Sequence, residues 1–132
     1  MLRDRSLPWH TIAETTVFAR NAAMLLEKDE RDALDAFLAN DPRAGDLIEG
    51  TGGLRKLRWR AQGRGKRGGV RVIYYHFDET VPLLLLTIYG KGERDDLSMD
   101  AKRKLAEQAE VIRQEALRRR AARRVRTALQ RR

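Results

Sequence analysis

The first readable pattern runs from His10 to Val17, a β-branched, Thr-rich stretch that predicts a short opening strand. Phe18, Ala22, Leu25 and Leu26 follow at i, i+4, i+7 and i+8, the spacing of one helix face. After the polar break Glu27-Lys28-Asp29-Glu30, a second helix carries Leu34, Phe37 and Leu38 on one side. It should stop at Asn40-Asp41-Pro42, because proline disfavours α geometry in the residue before it. Gly50-Thr51-Gly52-Gly53 marks a tight turn. From Leu54 to Arg60 the pattern alternates, with Leu57 and Trp59 on one face and Lys56, Arg58 and Arg60 on the other. A basic glycine loop at residues 63–69 leads into a β-branched and aromatic strand, Val70 to Phe77. Asp78-Glu79 turns the chain, and Val81 to Tyr89 is a near-continuous apolar run, as expected of a central strand buried on both faces. Ser98 is placed to cap a last helix with Asp100 in its first turn and Leu105, Ala109, Ile112 and Ala116 at helical spacing.

The order β-α-α-β-β-β-α predicts an α+β domain, an antiparallel sheet with helices packed on one face. The other face is then left for the basic strand residues. A chain of 132 residues suits a single domain, here residues 1–116. Residues 117–132 form an Arg-rich extension. There, Leu117, Ala121, Val125 and Leu129 lengthen the last helix, or the stretch is a disordered tail.

Charge changes this picture. The net charge is +9, yet it is concentrated in two blocks. Arg55, Lys56, Arg58, Arg60, Arg64, Lys66, Arg67 and Arg71 fall between residues 51 and 71 with no acid among them. A second block, Arg118, Arg119, Arg120, Arg123, Arg124, Arg126, Arg131 and Arg132, is also acid-free. Without these two blocks the chain is net acidic, so its cationic surfaces are chosen ones, suited to a polyanion whose counterions they release.

Other chemistry is thinly represented. There is no cysteine, which excludes disulfide staples, Cys-based zinc sites and a thiol nucleophile. His10 and His76 lack metal-ligand spacing, no Ser-His-Asp set can be assembled, and the glycine loop lacks the Lys-Ser/Thr ending of a P-loop, so neither a metal nor a cofactor is expected. Met1-Leu2-Arg3-Asp4-Arg5 has no apolar stretch behind it, and no run is long enough to cross a membrane. A cytoplasmic protein is expected.

The remaining concentration is Lys and Arg on adjacent strands with Tyr74, Tyr75 and Tyr89 nearby, a set suited to RNA. Cations stabilise charge developing on phosphorus, aromatic rings stack on unpaired bases, and RNA supplies its own 2′-hydroxyl nucleophile. Crowding of like charges also offers an acid/base pair by depressing a lysine pKa. RNA binding without cleavage fits the same residues.

Three ordered blocks sharpen this reading. They are Gly50-Thr51-Gly52-Gly53-Leu54-Arg55-Lys56-Leu57-Arg58, then Gly65-Lys66-Arg67-Gly68-Gly69-Val70-Arg71-Val72-Ile73-Tyr74-Tyr75, then Leu86-Thr87-Ile88-Tyr89-Gly90-Lys91. Together they resemble the RelE/HigB family of toxins from type II toxin–antitoxin systems. Glu14-Thr15-Thr16-Val17-Phe18 and Asn40-Asp41-Pro42 fit the HigB-like branch. The resemblance runs from about residue 10 to residue 115. It implies a microbial RNase-like fold and a metal-independent endoribonuclease that cuts mRNA on the translating ribosome, held in check by a cognate antitoxin of the HigA-like, helix-turn-helix kind. Any oligomerisation would run through that antitoxin.

By this resemblance Lys56 and Arg58 are the paired basic residues acting in catalysis, and Arg71 steadies the scissile phosphate. Lys91 lies beside the position where RelE-like members carry a functional arginine, here Gly92, and stands in as the acid. Tyr89 is the candidate stacking ring, and Arg55, Arg60, Arg64, Lys66 and Arg67 are RNA contacts. Two rivals remain. One is a ParE-like toxin that inhibits gyrase by binding it, which needs no phosphate-directed cluster; the other is a basic RNA- or DNA-binding accessory protein.

Overall fold

A computed structural model of the chain describes residues 11–61, 69–79, 81–90 and 97–131. Strand β1 (Ile12–Glu14) hands the chain directly to helix α1 (Thr16–Leu25). Thr15 makes that junction. Its hydroxyl accepts from the Phe18 N–H at 3.0 Å, capping the helix, and donates to the Leu86 carbonyl at 2.7 Å, tying the helix start to the sheet. Helix α2 (Lys28–Asn40) begins with a capping box in which Glu30 accepts from the Glu27 N–H at 2.8 Å, and it stops before Pro42 as expected. The two-residue strand β2 (Asp46–Leu47) precedes β3 (Leu54–Trp59), β4 (Val70–Tyr75) and β5 (Leu83–Gly90). A single long helix, α3 (Met99–Gln130), follows, capped by the Ser98 hydroxyl, which accepts from the Ala101 N–H at 3.1 Å. No helix among the described residues is long and apolar enough to cross a membrane.

The α+β class is as expected, and the sheet departs from the expected one in three ways, the first being the added two-residue strand β2. Its order is β1-β5-β4-β3-β2, and it is mixed, because β1 runs parallel to β5 while the other pairings are antiparallel. Three residues of β1 cover only Leu83 to Leu85, a pairing between segments some 70 positions apart that no local pattern announces. Helices also cover both faces rather than one. Phe18, Ala22, Leu25, Leu34 and Leu38 from α1 and α2 pack on Leu57, Val72, Tyr74, Leu83, Leu85 and Ile88. On the opposite face Leu97, Ala101, Leu105, Ala109 and Ile112 pack on Leu54, Ile73, Tyr75, Leu84, Leu86 and Tyr89. The physical reason is the apolar content of β4 and β5 at both parities. Those strands cannot leave one side wet.

Tyr74 fastens the loop after α2 to the sheet. Its buried hydroxyl accepts from the Gly45 N–H at 2.8 Å and donates to the Pro42 carbonyl at 2.9 Å. Gly45 is required there, since a Cβ would lie 2.8 Å from a ring carbon of Tyr74 and 3.0 Å from the Lys56 carbonyl oxygen. Burial pushes the Tyr74 phenol up, outweighing the opposite pull of the Gly45 N–H and the Arg55 charge. Replacing Tyr74 by Phe leaves a buried N–H without its acceptor, and urea denaturation should show a loss of about 1–3 kcal/mol. Because the folded-state pKa exceeds the unfolded value near 10, Tyr74 contributes its stability fully below pH ~10, and this is lost as pH rises through the folded-state value. Between pH 8 and 11 the Tyr74→Phe variant should therefore lose less stability than the parent.

Candidate functional site

The site is built by strand register. In the β3–β4 ladder Arg58 lies directly opposite Arg71 and Lys56 opposite Ile73; in the β4–β5 ladder Arg71 lies opposite Tyr89. Directly opposed residues project to the same side of a sheet with Cβ atoms about 4.5–5.5 Å apart, and diagonal neighbours are roughly 7–8 Å apart. Lys56, Arg58 and Arg71 therefore share one face, the face on which α3 packs, at the end of the sheet where β3 finishes and β4 begins. Arg58 is exposed, and Lys56 and Arg71 are half-buried. Arg60 continues the same parity one residue beyond β3 and is exposed.

The register is held where β4 starts. Gly69 has φ +78°, and a Cβ there would sit 2.3 Å from the Trp59 carbonyl oxygen, so only glycine returns the chain this tightly to β3. On the far side of β3, Trp59 meets Phe37 with ring centroids 5.2 Å apart. That contact seats the odd-numbered positions of the strand on α2 and turns Lys56 and Arg58 the other way.

Two residues fall outside the cluster that their sequence positions suggested. Arg55 lies on the α1/α2 side, opposite Tyr74, and donates to the carbonyls of Gly45 at 2.7 Å and Arg43 at 3.2 Å. It clamps the loop after α2 instead of joining Lys56 and Arg58, because strand alternation sends neighbours to opposite faces. Tyr89 has the right parity, but the residue is 3% exposed and belongs to the cluster with Leu86, Leu97 and Ala109. A ring without a free face offers no platform for a base. Lys91, Arg64, Lys66 and Arg67 lie outside the described residues. Arg120, which sequence reasoning placed only in the tail, pairs with Asp78 and stands 5.3 Å over the Phe77 ring. It anchors α3 to the end of β4, and no sequence spacing connects residues 78 and 120.

Among the described residues no cluster of three or more His, Asp or Glu could hold a metal. The arrangement is a patch of fixed cations on a rigid three-strand platform. It is able to hold a phosphodiester between Arg58 and Arg71 with the Lys56 ammonium alongside.

No family model matches the chain. Among solved structures it is similar to a mutant of the E. coli toxin RelE in the free state, at 15% sequence identity over 66% of this chain and 88% of that one, with a TM-score of 0.49. At that level of likeness the strand cluster has to stand on its own geometry.

Like charges placed directly across a ladder oppose sheet stability. Replacing Arg58 by Thr, a good strand former, should leave the melting temperature unchanged or raise it, within ~1 kcal/mol in chemical denaturation. A drop larger than that would mean Arg58 serves the fold.

Proposed function

We propose that this chain is a RelE/HigB-like toxin, an endoribonuclease that cuts mRNA on the translating ribosome in the cytoplasm. The observation carrying the proposal is the shared face of Lys56, Arg58 and Arg71 on adjacent strands. The ordered motif resemblance over residues 50–91 supports it. In this reading the substrate phosphodiester lies across Arg58 and Arg71. Lys56 and Arg58 orient the 2′-hydroxyl for its attack on phosphorus, and its proton passes to solvent. Arg71 neutralises the charge that builds on the non-bridging oxygens. The 5′-oxygen leaves with a proton, and a 2′,3′-cyclic phosphate remains; Lys91 is proposed as the donor of that proton. RNA brings its own nucleophile, so the chain supplies positioning and fixed charge. An antitoxin of the HigA-like kind is the proposed partner that restrains it.

The convergence of cations disfavours the ParE-like alternative, since inhibition by protein contact requires no such cluster. Replacing Arg71 by Ala removes a transition-state contact, for which a loss of about 10²–10³ in cleavage rate is expected, with the melting curve retained. Mapping transcript 5′ ends in a reconstituted translation reaction measures this directly. Intact transcripts with the parent protein, alongside induction of the DNA-damage response in cells, would assign the chain to the gyrase-directed alternative.

A further inference from the structure

Beyond Arg120, α3 leaves the body of the protein. Every residue from Ala121 to Arg131 is exposed, so the helix projects roughly 15 Å past its last anchor. No carboxylate follows Glu115 in the sequence, and Glu115 already pairs with Arg118 at 2.8 Å and Arg119 at 3.3 Å. At 100° per residue, Arg119, Arg120, Arg123, Arg124, Arg126 and Arg131 fall within an arc of roughly 160°. That arc continues the side of α3 which, further back, carries Leu105, Ala109 and Ile112 onto the sheet. The arm therefore faces back toward the sheet side of α3, and its root lies beside Asp78 and Pro82, at the end of β4 away from the strand cluster. Arg119, Arg120, Arg123 and Arg124 also line one wall of a groove of about 900 Å³ whose other wall includes Ala13, Val81, Pro82 and Leu84.

We propose that this arginine arm is a second RNA-binding surface, one that grips the phosphates of a folded, double-stranded RNA segment. The chemistry selects a duplex backbone over a single strand. From Met99 to Arg132 there is no aromatic side chain on which an unpaired base could stack. A-form RNA instead draws two rows of phosphate across a narrow major groove, and an arginine-faced helix laid along them meets charge on both sides. Like charges at i, i+4, as in Arg119/Arg123 and Arg120/Arg124, destabilise a free helix, and a polyanion relieves that repulsion. The choice of RNA over DNA rests on the RNA reading of the strand cluster. From the first turn of α3, near Tyr89 and Leu97, the helix rises about 30–48 Å to the arm, so the arm stands well apart from the strand cluster.

The test uses the full chain and a labelled 20-base-pair blunt RNA duplex, with anisotropy followed across a salt series. Replacing Arg123, Arg124 and Arg126 together by Gln should weaken binding at least tenfold at low salt. It should also flatten the dependence of log K on log salt by about two to three, at roughly 0.9 per phosphate contact. Cleavage is read from transcript 5′ ends and arm binding from duplex anisotropy, so failure of the cleavage reading and failure of the arm register in different assays. Binding of the triple variant with the parent's affinity and salt slope would overturn the proposal. So would displacement of the duplex by polyglutamate at matched charge, which would assign the arm to an acidic protein. Tenfold tighter binding of a DNA duplex of the same sequence would overturn the choice of RNA.

Discussion

The pairing register of β3 with β4 is the constraint from which the rest follows. Side chains on a strand alternate with period two, so a slip of one residue would carry Lys56 and Arg58 into the α1/α2 core and expose Leu57 and Trp59. Three contacts oppose that slip. Gly69 turns back against the Trp59 carbonyl where no Cβ fits. The Tyr74 hydroxyl fixes the loop carrying Gly45, and Arg55 clamps the carbonyls of the same loop from the β3 side. The apolar residues on both faces of β4 and β5 then bury only in this one alignment, Val72 and Tyr74 toward α1 and α2, Ile73 and Tyr75 toward α3.

That alignment separates two jobs within one basic run. Arg55 and Lys56 are neighbours in sequence, yet one stabilises a loop on one side of the sheet and the other stands beside Arg58 and Arg71 on the opposite side. Helix α3 contributes twice. Its first half closes the second hydrophobic layer, and its second half, held at the sheet end by Arg120 against Asp78 and Phe77, carries the charged arm into solvent. Core packing and the charged arm thus share one element, with Arg120 at the boundary between them.

Much of this was legible in the sequence because its causes are local. The helix face of Phe18, Ala22 and Leu25, the stop before Pro42, the Ser98 cap and the alternation from Leu54 to Trp59 all depend on residues within a few positions of one another. The parallel pairing of β1 was hidden because its partner lies far along the chain and its own three residues carry no signal of direction. The second helical layer did have a signal. A strand such as Leu83 to Tyr89, apolar at nearly every position, requires cover on both sides, and that requirement conflicts with a sheet face left wholly open to solvent. For the candidate site, alternation placed Lys56 and Arg58 on one face of β3, while Arg71 came only from the family resemblance, since its register opposite Arg58 has no local signal. Arg55, grouped by the resemblance with the RNA contacts, lies on the other face by the same alternation, and no local signal announces the burial of Tyr89.

The central claim, that Lys56, Arg58 and Arg71 form one phosphodiester-binding patch, is tested most directly by side-chain NMR. The Lys56 ammonium and the Nε–H signals of Arg55, Arg58 and Arg71 would be followed as a 2′-O-methyl RNA oligonucleotide, which cannot be cleaved, is added. The signals of Lys56, Arg58 and Arg71 should move together along one binding curve, while Arg55, held by its loop carbonyls, stays in place. Independent curves for the three, or a response of Arg55 with none from Arg58 and Arg71, would contradict the account.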